Sequence, residues 1–181
     1  LLLQSFHKNG LSLSASKTVI CPQETTILGW IWKGATLRAS PHRVSALASV
    51  SPPATVCGLR SFIGAYKVLS RVLPTHARFL APLDCATAGR DSRDRITWSD
   101  DLHHAFAEAQ KALSTNKTIS IPRPADTLWI VTDASVKESG LSATMYSLRD
   151  GAVLLSGFYN AKLKKHQLLW LPCELEALAI A

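Results

Sequence analysis

The chain has 181 residues and 47% of them are apolar, which is enough to bury the core of one domain or of two small ones. The sequence contains no uninterrupted run of about 18 apolar residues, a pattern that predicts no membrane-spanning segment. Its four cysteines lie far apart, which supports neither a zinc site nor a disulfide framework. Such cysteine usage is typical of a reducing compartment.

The net charge of +7 is unevenly distributed along the chain. Residues 1–78 contain nine Lys or Arg side chains and one acid, Glu24, whereas residues 79–181 contain 11 bases and 12 acids. A basic half joined to a near-neutral half is typical of a protein that binds phosphates with one part and uses carboxylates in the other. A basic surface that only keeps the protein soluble has the same composition, so charge leaves both interpretations open.

The first 40 residues predict one short helix and several strands. Leu1–Asn9 has the pattern of the last turns of an amphipathic helix, and Gly10 is its stop signal. Alternating or β-branched residues predict strands at Leu11–Ser14, Lys17–Cys21, Thr26–Trp32 and Ala35–Leu37. The last two flank Lys33–Gly34, a two-residue hairpin signal that is expected to place Trp30 and Trp32 on one face.

The middle of the chain predicts helices. One is expected at Pro41–Val50 and a second at Val56–Leu69, after a Pro-Pro corner and a Thr55 cap. Apolar residues recur on the second helix at helical spacing, which indicates a buried stripe of Val56, Leu59, Ile63 and Tyr66. Residues 85–95 are polar and predict a linker. A third helix, Asp100–Leu113, is expected behind a Ser99 cap, followed by an extended stretch to Pro124.

The apolar run Leu128–Val131 leads into Asp133, which is flanked by small residues. This pattern predicts a buried strand that ends in an acid. A carboxylate at such a place loses water unless a cation or a donor replaces it, so we expect Asp133 to be held by a partner. The alternative is structural, because Asp at a strand end commonly caps a turn.

A hairpin and a helix follow. Strands are predicted at Leu141–Leu148 and Ala152–Phe158 around the turn Arg149–Gly151, and a helix with proline in its first turn at Pro172–Ala181. This helix carries Glu176 beside its apolar stripe. A strand acid and a helix acid against the same sheet form a candidate divalent-metal site.

The motifs, taken in order, resemble the pol polyprotein of gypsy-like long-terminal-repeat retrotransposons and retroviruses, over essentially the full length. The motifs are Leu28-Gly29-Trp30, Leu59-Arg60-Ser61-Phe62-Ile63-Gly64, Ala81-Pro82-Leu83, Ile96-Thr97-Trp98-Ser99, Ala105-Phe106, Thr132-Asp133-Ala134-Ser135 and Glu176-Ala177-Leu178-Ala179-Ile180. Each motif alone is weak, and the ordered series is specific. Because the sequence opens without Met and stops about two turns into a predicted helix, we expect a piece of a longer protein.

The resemblance implies an α+β fold in four segments: the end of a reverse transcriptase palm with a primer-grip hairpin, a small helical thumb, a linker with a connecting helix, and the truncated first half of a ribonuclease H-like domain with a mixed β-sheet and a helix. The corresponding ranges are 1–40, 41–84, 85–121 and 122–181. The adjacent acids Asp100–Asp101 are explained as a helix start and not as polymerase aspartates.

The resemblance also implies the site residues. Asp133 and Glu176 match metal-ligating acids of a two-ion ribonuclease H site for Mg²⁺ or Mn²⁺, whose other ligands lie outside this chain. Glu174 competes for the second role, and the spacing to Ala179 favours Glu176. The hairpin residues Gly29 and Trp30 match the primer grip. Candidate phosphate contacts on the thumb are Arg60, Lys67, Arg71 and Arg78. The sequence departs from the family at Gly140–Ala143, which follows a longer turn than usual.

The expected function is that of an RNA-directed DNA polymerase with ribonuclease activity on RNA–DNA hybrids, intracellular in a virus-like particle or the nucleus. The fragment itself is expected to bind primer–template duplex and hybrid, to act with the rest of the polyprotein, and to catalyse nothing alone. Two alternatives remain open: a non-catalytic nucleic-acid-binding remnant, and a metal-independent scaffold with an accidental resemblance.

Overall fold

The computed structural model describes residues 2–135 and 140–181, and these form an α+β fold with two antiparallel sheets. The helices are α1 Leu2–Lys8, α2 Pro41–Ala48, α3 Val56–Lys67, α4 Ala77–Thr87, α5 Asp100–Ala112 and α6 Pro172–Ile180. The strands are β1 Glu24–Ile27, β2 Trp30–Lys33, β3 Thr36–Ala39, β4 Ile119–Ser120, β5 Thr127–Ser135, β6 Gly140–Arg149 and β7 Ala152–Lys162. Short 3₁₀ turns lie at Ala15–Lys17, Ser70–Val72, Leu113–Thr115 and Lys165–Leu169.

The first sheet has the strand order β1-β2-β3-β4. The expected single strand Thr26–Trp32 is wrong, because the chain turns at Leu28 and Gly29, with φ of 51° and 77°. Ile27 therefore pairs with Trp30 across a two-residue hairpin. The next hairpin also differs by one residue from the expected turn, since Lys33 pairs with Thr36 and leaves Gly34 and Ala35 in the loop.

The segment between α1 and β1 is not built of strands. The N-terminal helix and its stop are as predicted, with Gly10 at φ 67°, but the strands expected at Leu11–Ser14 and Lys17–Cys21 are wrong. A 3₁₀ turn lies between them, and the Thr18 hydroxyl donates to the Ser14 carbonyl at 2.7 Å. Such local side-chain bonds give the backbone an alternative to strand pairing.

One apolar core joins α2, α3, α4 and α5 with the inner face of β3 and β4. The predicted stripe of α3 is confirmed, since all four of its residues are buried. The predicted caps are also confirmed. The Thr55 hydroxyl accepts from the Gly58 N–H at 3.2 Å, and the Ser99 hydroxyl accepts from the Leu102 N–H at 3.3 Å. The α5 helix, expected to connect two domains, is therefore part of the same core as the thumb-like helices.

The predicted linker is packed against the start of α3. The Asp94 carbonyl accepts from the Val56 N–H at 2.9 Å, and the Trp98 indole donates to the Pro53 carbonyl at 3.0 Å. Residues 85–87 belong to α4, a helix that the sequence did not clearly indicate because Pro82 lies inside it. Residues 88–98 are thus an ordered segment that packs against the N-terminal end of α3.

The second sheet has the order β5-β6-β7 and a hairpin turn at Asp150–Gly151, both at positive φ. The predicted hairpin and α6 are confirmed. The sheet is antiparallel in the described residues, so the expected mixed sheet is not formed by them. The burial expected for β5 is wrong, because Leu128–Val131 are exposed. The reason is that β5 is an outer strand, which α6 covers incompletely.

Within the described ranges, none of the helices has both the length and the apolarity to cross a bilayer.

Candidate functional site

Asp133 lies near the end of β5, in a row of polar residues that crosses the second sheet. It pairs with Ser142 on β6, which in turn pairs with Asn160 on β7. The Asn160 amide donates to the Pro74 carbonyl at 3.1 Å, just before α4. This bond fixes the Asp133 end of the sheet against the helical core.

A cavity of about 300 Å³ lies where the sheet meets α4, and Asp133 lines it together with two basic residues, Arg78 from α4 and Lys162 from the end of β7. Asp133 itself is exposed, so water reaches its carboxylate and the expected loss of solvation is wrong. The cavity lining therefore combines one acidic residue with two basic ones, a composition that suits a phosphate and a hard cation together.

The α6 helix packs against β5 through Leu175, which is buried. At about 100° per residue, Glu174 and Glu176 lie on opposite flanks of Leu175. The Glu174 carboxylate accepts from the Leu171 N–H at 2.7 Å and so caps its own helix. Both glutamates are exposed. Because Glu174 has this structural role, the geometry favours Glu176 as the acid available to a ligand.

The donor set is suitable for Mg²⁺ or Mn²⁺, because Asp133 and Glu176 are hard oxygen ligands on elements in contact. Neither glutamate lines the cavity that contains Asp133. Across residues 2–135 and 140–181, no group of three or more His, Cys, Asp or Glu side chains is arranged to hold a metal ion. The pairing of Asp133 with Glu176 therefore stays a prediction. The longer turn before Gly140–Ala143 lies outside the described residues.

The two candidate primer-grip residues differ in their surroundings. Gly29 forms the tip of the β1–β2 hairpin together with Leu28, which is 86% exposed. Trp30 begins β2, and its ring packs against the core. Trp30 is therefore explained by packing, and only the hairpin tip is presented to a ligand.

Two of the four candidate phosphate contacts, Arg60 and Lys67, are already bonded to other residues of the chain. The Arg60 guanidinium donates to the carbonyls of Thr87 and Arg90 at 2.8 and 2.9 Å and so closes the end of α4 onto α3. The Lys67 ammonium contacts the Asp84 carboxylate at 2.9 Å. A phosphate would compete with these partners.

The other two candidates lie on the side of the core that faces the second sheet. The Arg71 side chain packs over Gly157, with its Cγ 3.5 Å from the point where a Cβ would stand. The Arg78 guanidinium lies 4.8 Å from the Phe79 ring centroid, and the residue lines the Asp133 cavity. Of the four, Arg78 is the one placed beside a candidate catalytic acid.

Three residues with a clear place in these sites were missed from the sequence. Lys162 and Asn160 lie on the part of β7 that extends past the predicted strand end at Phe158. Arg43 on α2 contacts the hairpin tip. A polar Tyr159–Lys162 stretch after an apolar strand was the available signal for the first two, whereas nothing in the local sequence pairs Arg43 with Leu28.

Asp126, at the predicted start of the nuclease-like half, holds the second sheet to the segment that precedes it. Its carboxylate accepts two bonds from Arg149, at 3.0 and 2.6 Å, and one from the Arg123 N–H at 2.9 Å. The same guanidinium donates to the Ile121 carbonyl at 2.9 Å. The Arg149 contact and the Arg123 N–H lower the pKa of Asp126 from 3.8 to about 2. The Asp126–Arg149 pair therefore has a structural role, which is to hold the second sheet against residues 121–123.

Comparison with protein families identifies the class. Residues 98–181 match the family described as the RNase H-like domain found in reverse transcriptase. The match begins at Trp98 and so includes α5. The match assigns residues 98–181, with α5 and the second sheet, to an RNase H-like part of the reverse transcriptase type.

Similar proteins of known identity specify the class of this chain further. The chain is 30% identical to the Gag-Pol polyprotein of gibbon ape leukemia virus over 158 residues, which is 86% of this chain and 9% of that protein. It is 24% identical to a retrovirus-related Pol polyprotein from the transposon opus of Drosophila melanogaster over 143 residues, 75% of this chain and 14% of that protein. The chain therefore corresponds to a segment of a retroviral or retrotransposon Pol polyprotein, and the resemblance seen in the sequence is confirmed.

Solved structures confirm the fold. The foamy viral protease-reverse transcriptase dRH in complex with double-stranded DNA matches with a TM-score of 0.84 and 16% identity, over 99% of this chain and 31% of that one. The foamy viral protease-reverse transcriptase in complex with an RNA/DNA hybrid matches with a TM-score of 0.77 and 16% identity, over 91% and 22% of the two chains. Both the helical core and the second sheet thus have counterparts in a reverse transcriptase.

Proposed function

We propose that this chain is the part of a reverse transcriptase that connects the polymerase palm to the RNase H site, and that it binds primer–template duplex and RNA–DNA hybrid. The observation that carries the proposal is the cavity at the end of β5, which Asp133 lines together with Arg78 and Lys162. The foamy viral relatives, whose complexes contain double-stranded DNA and RNA/DNA hybrid, support the choice of ligand.

Each element has a proposed role. Residues 1–40 present the primer grip at the Leu28–Gly29 tip, residues 41–84 form the thumb, residues 85–121 connect, and residues 122–181 begin the RNase H-like part. Because α5 shares the thumb's core, the two parts are connected through packed side chains. The protein is proposed to act inside the cell as one section of the longer polyprotein.

In the nuclease reaction, Asp133 and Glu176 would hold divalent ions, with further ligands supplied from outside this chain. When bound, two such ions activate the attacking water and stabilise the leaving oxygen of an in-line displacement. The chain's own cations, Arg78 and Lys162, attract the phosphate and orient it toward Asp133. Glu174 fixes the start of α6, which sets the position of Glu176.

The first test measures binding of the 181-residue chain to a labelled RNA–DNA hybrid at increasing salt. Phosphate contacts release counterions, so the logarithm of the affinity is expected to fall linearly with the logarithm of salt concentration. Arg78→Gln is expected to reduce the slope of log affinity against log salt concentration by about 1, the contribution of one phosphate contact. An affinity that barely changes with salt would remove the phosphate-binding role.

The second test places substitutions in a longer protein that carries the remaining acids. Asp133→Asn and Glu176→Gln are expected to abolish magnesium-dependent RNA cleavage. The neighbouring Glu174→Gln is a matched control that is expected to retain it, because the glutamine oxygen can still accept from the Leu171 N–H and keep the start of α6 in place. Full cleavage by either of the first two variants removes that residue from the site. If all three variants and the unmodified protein cleave nothing but bind hybrid, the alternative of a non-catalytic binding remnant is correct.

A further inference from the structure

The tip of the β1–β2 hairpin has a strained backbone. Leu28 adopts φ of 51°, a left-handed conformation that costs an L-residue energy, and Gly29 follows at 77°. The Leu28 side chain is almost fully exposed, so packing of that side chain does not explain the conformation. Something else in the structure must hold the turn.

The start of α2 clamps this turn through its backbone. The Ser40 N–H donates to the Gly29 carbonyl at 2.9 Å, and the Arg43 guanidinium donates to the Leu28 carbonyl at 2.7 Å. Ser40 is also the cap of α2, because its hydroxyl accepts from the Arg43 N–H at 3.3 Å. Both turn carbonyls are thus bonded to residues of the first turn of one helix.

Gly29 provides the space in which Arg43 lies. A Cβ at this position would stand 2.8 Å from the Arg43 Cδ and 2.9 Å from its Nη1, so a side chain here would push the end of Arg43 out of its position. Glycine is therefore favoured here by the positive φ, and it leaves the space in which the Arg43 side chain crosses the turn. As a residue, Arg43 is half-buried.

We propose that Arg43 is a positioning residue that fixes the Leu28–Gly29 turn, so that the hairpin discriminates a recessed primer 3′ end from a blunt duplex end. This inference rests on the proposed function, in which this hairpin is the primer grip. The contact joins the hairpin to the thumb-like helices, since α2 packs against α3 and α5. A shift of those helices would therefore carry the turn with it.

The test compares the affinity of the 181-residue chain for two labelled duplexes of equal length, one with a recessed 3′ end and one blunt. The unmodified chain is expected to prefer the recessed end. Arg43→Gln is expected to reduce this preference by roughly tenfold, the lower end of the scale for one charge-assisted hydrogen bond. Arg43→Lys is expected to restore part of it. Gly29→Ala displaces Arg43 from the other side and is expected to lose the preference as well.

A matched control separates position from charge. Arg38→Gln removes an exposed cation from the neighbouring strand β3, where it lies 3.9 Å from Glu24, and is expected to leave the preference unchanged. Hydrogen exchange of the Gly29 and Trp30 amides is expected to quicken in Arg43→Gln but not in Arg38→Gln.

The outcomes distinguish the two proposals. If the unmodified chain binds neither duplex, the proposed function fails and the inference fails with it. If it binds both in a salt-dependent way without preference, or if the preference survives in folded Arg43→Gln, the inference alone is overturned.

Discussion

Replacing Phe106 by alanine tests whether α5 belongs to the core of the thumb-like helices or only connects two parts. Phe106 is 2% exposed, and its ring centroid lies 4.6 Å from that of Phe62 on α3 and 5.4 Å from that of Trp98. Removing a buried phenyl group costs about 3–5 kcal/mol, including the cavity that remains. With a urea dependence of about 2.5 kcal/mol/M for a chain of this size, a loss of 4 kcal/mol lowers the unfolding midpoint by about 1.6 M.

The assay is urea unfolding followed by far-UV circular dichroism and by tryptophan fluorescence. If the core is shared, both signals are expected to shift together in Phe106→Ala, because α3 and α5 lose the same contact. Leu169→Ala, at a side chain that is 88% exposed, is the control and is expected to stay within about 0.5 kcal/mol of the unmodified chain. A shift below about 0.4 M, or a shift in fluorescence alone, would refute the shared core.

The stability of the fold at acid pH is expected to depend on Asp126, whose pKa is about 2 in the folded chain and 3.8 when unperturbed. Since the unfolded chain takes up the proton first, the stabilisation is complete above about pH 4 and is lost as the pH falls toward 2. Urea midpoints measured over this window should fall less steeply in Arg149→Gln, and an unchanged pH profile would contradict the role of the pair. Thr55→Ala removes the cap that accepts the Gly58 N–H and is expected to cost about 1 kcal/mol in thermal unfolding, with Thr55→Ser close to the unmodified chain. Equal stability of the alanine and serine variants would argue against the cap.

The sequence was a sufficient guide wherever structure is decided by near neighbours. The α3 helix follows from apolar residues three and four apart behind a Thr55 cap, and the β6–β7 turn follows from Asp150 and Gly151, which tolerate positive φ. The position of Asp133 at the end of a strand was predictable for the same reason.

Predictions failed where distant parts of the chain decide the outcome. The turn at Leu28 is held by Arg43, 15 residues away, so the apolar run through it suggested one continuous strand. The exposure of β5 depends on how many strands and helices surround it, which its own composition does not encode. Lys162 lines the same cavity as Asp133 because β7 runs four residues past Phe158 and contacts α4.

Gln110 links α5 to the end of α2, across the boundary of the family match. Its side-chain amide donates to the carbonyls of Leu47 and Val50, at 3.0 and 2.8 Å. It thereby satisfies carbonyls at the C-terminal end of α2, which lies 60 or more residues earlier in the chain. The boundary at Trp98, at which kinship with RNase H-like domains begins, therefore runs through a folding unit. Proteolysis at that boundary would expose an apolar helix face on each product, because α5 shares its core with α2, α3 and α4.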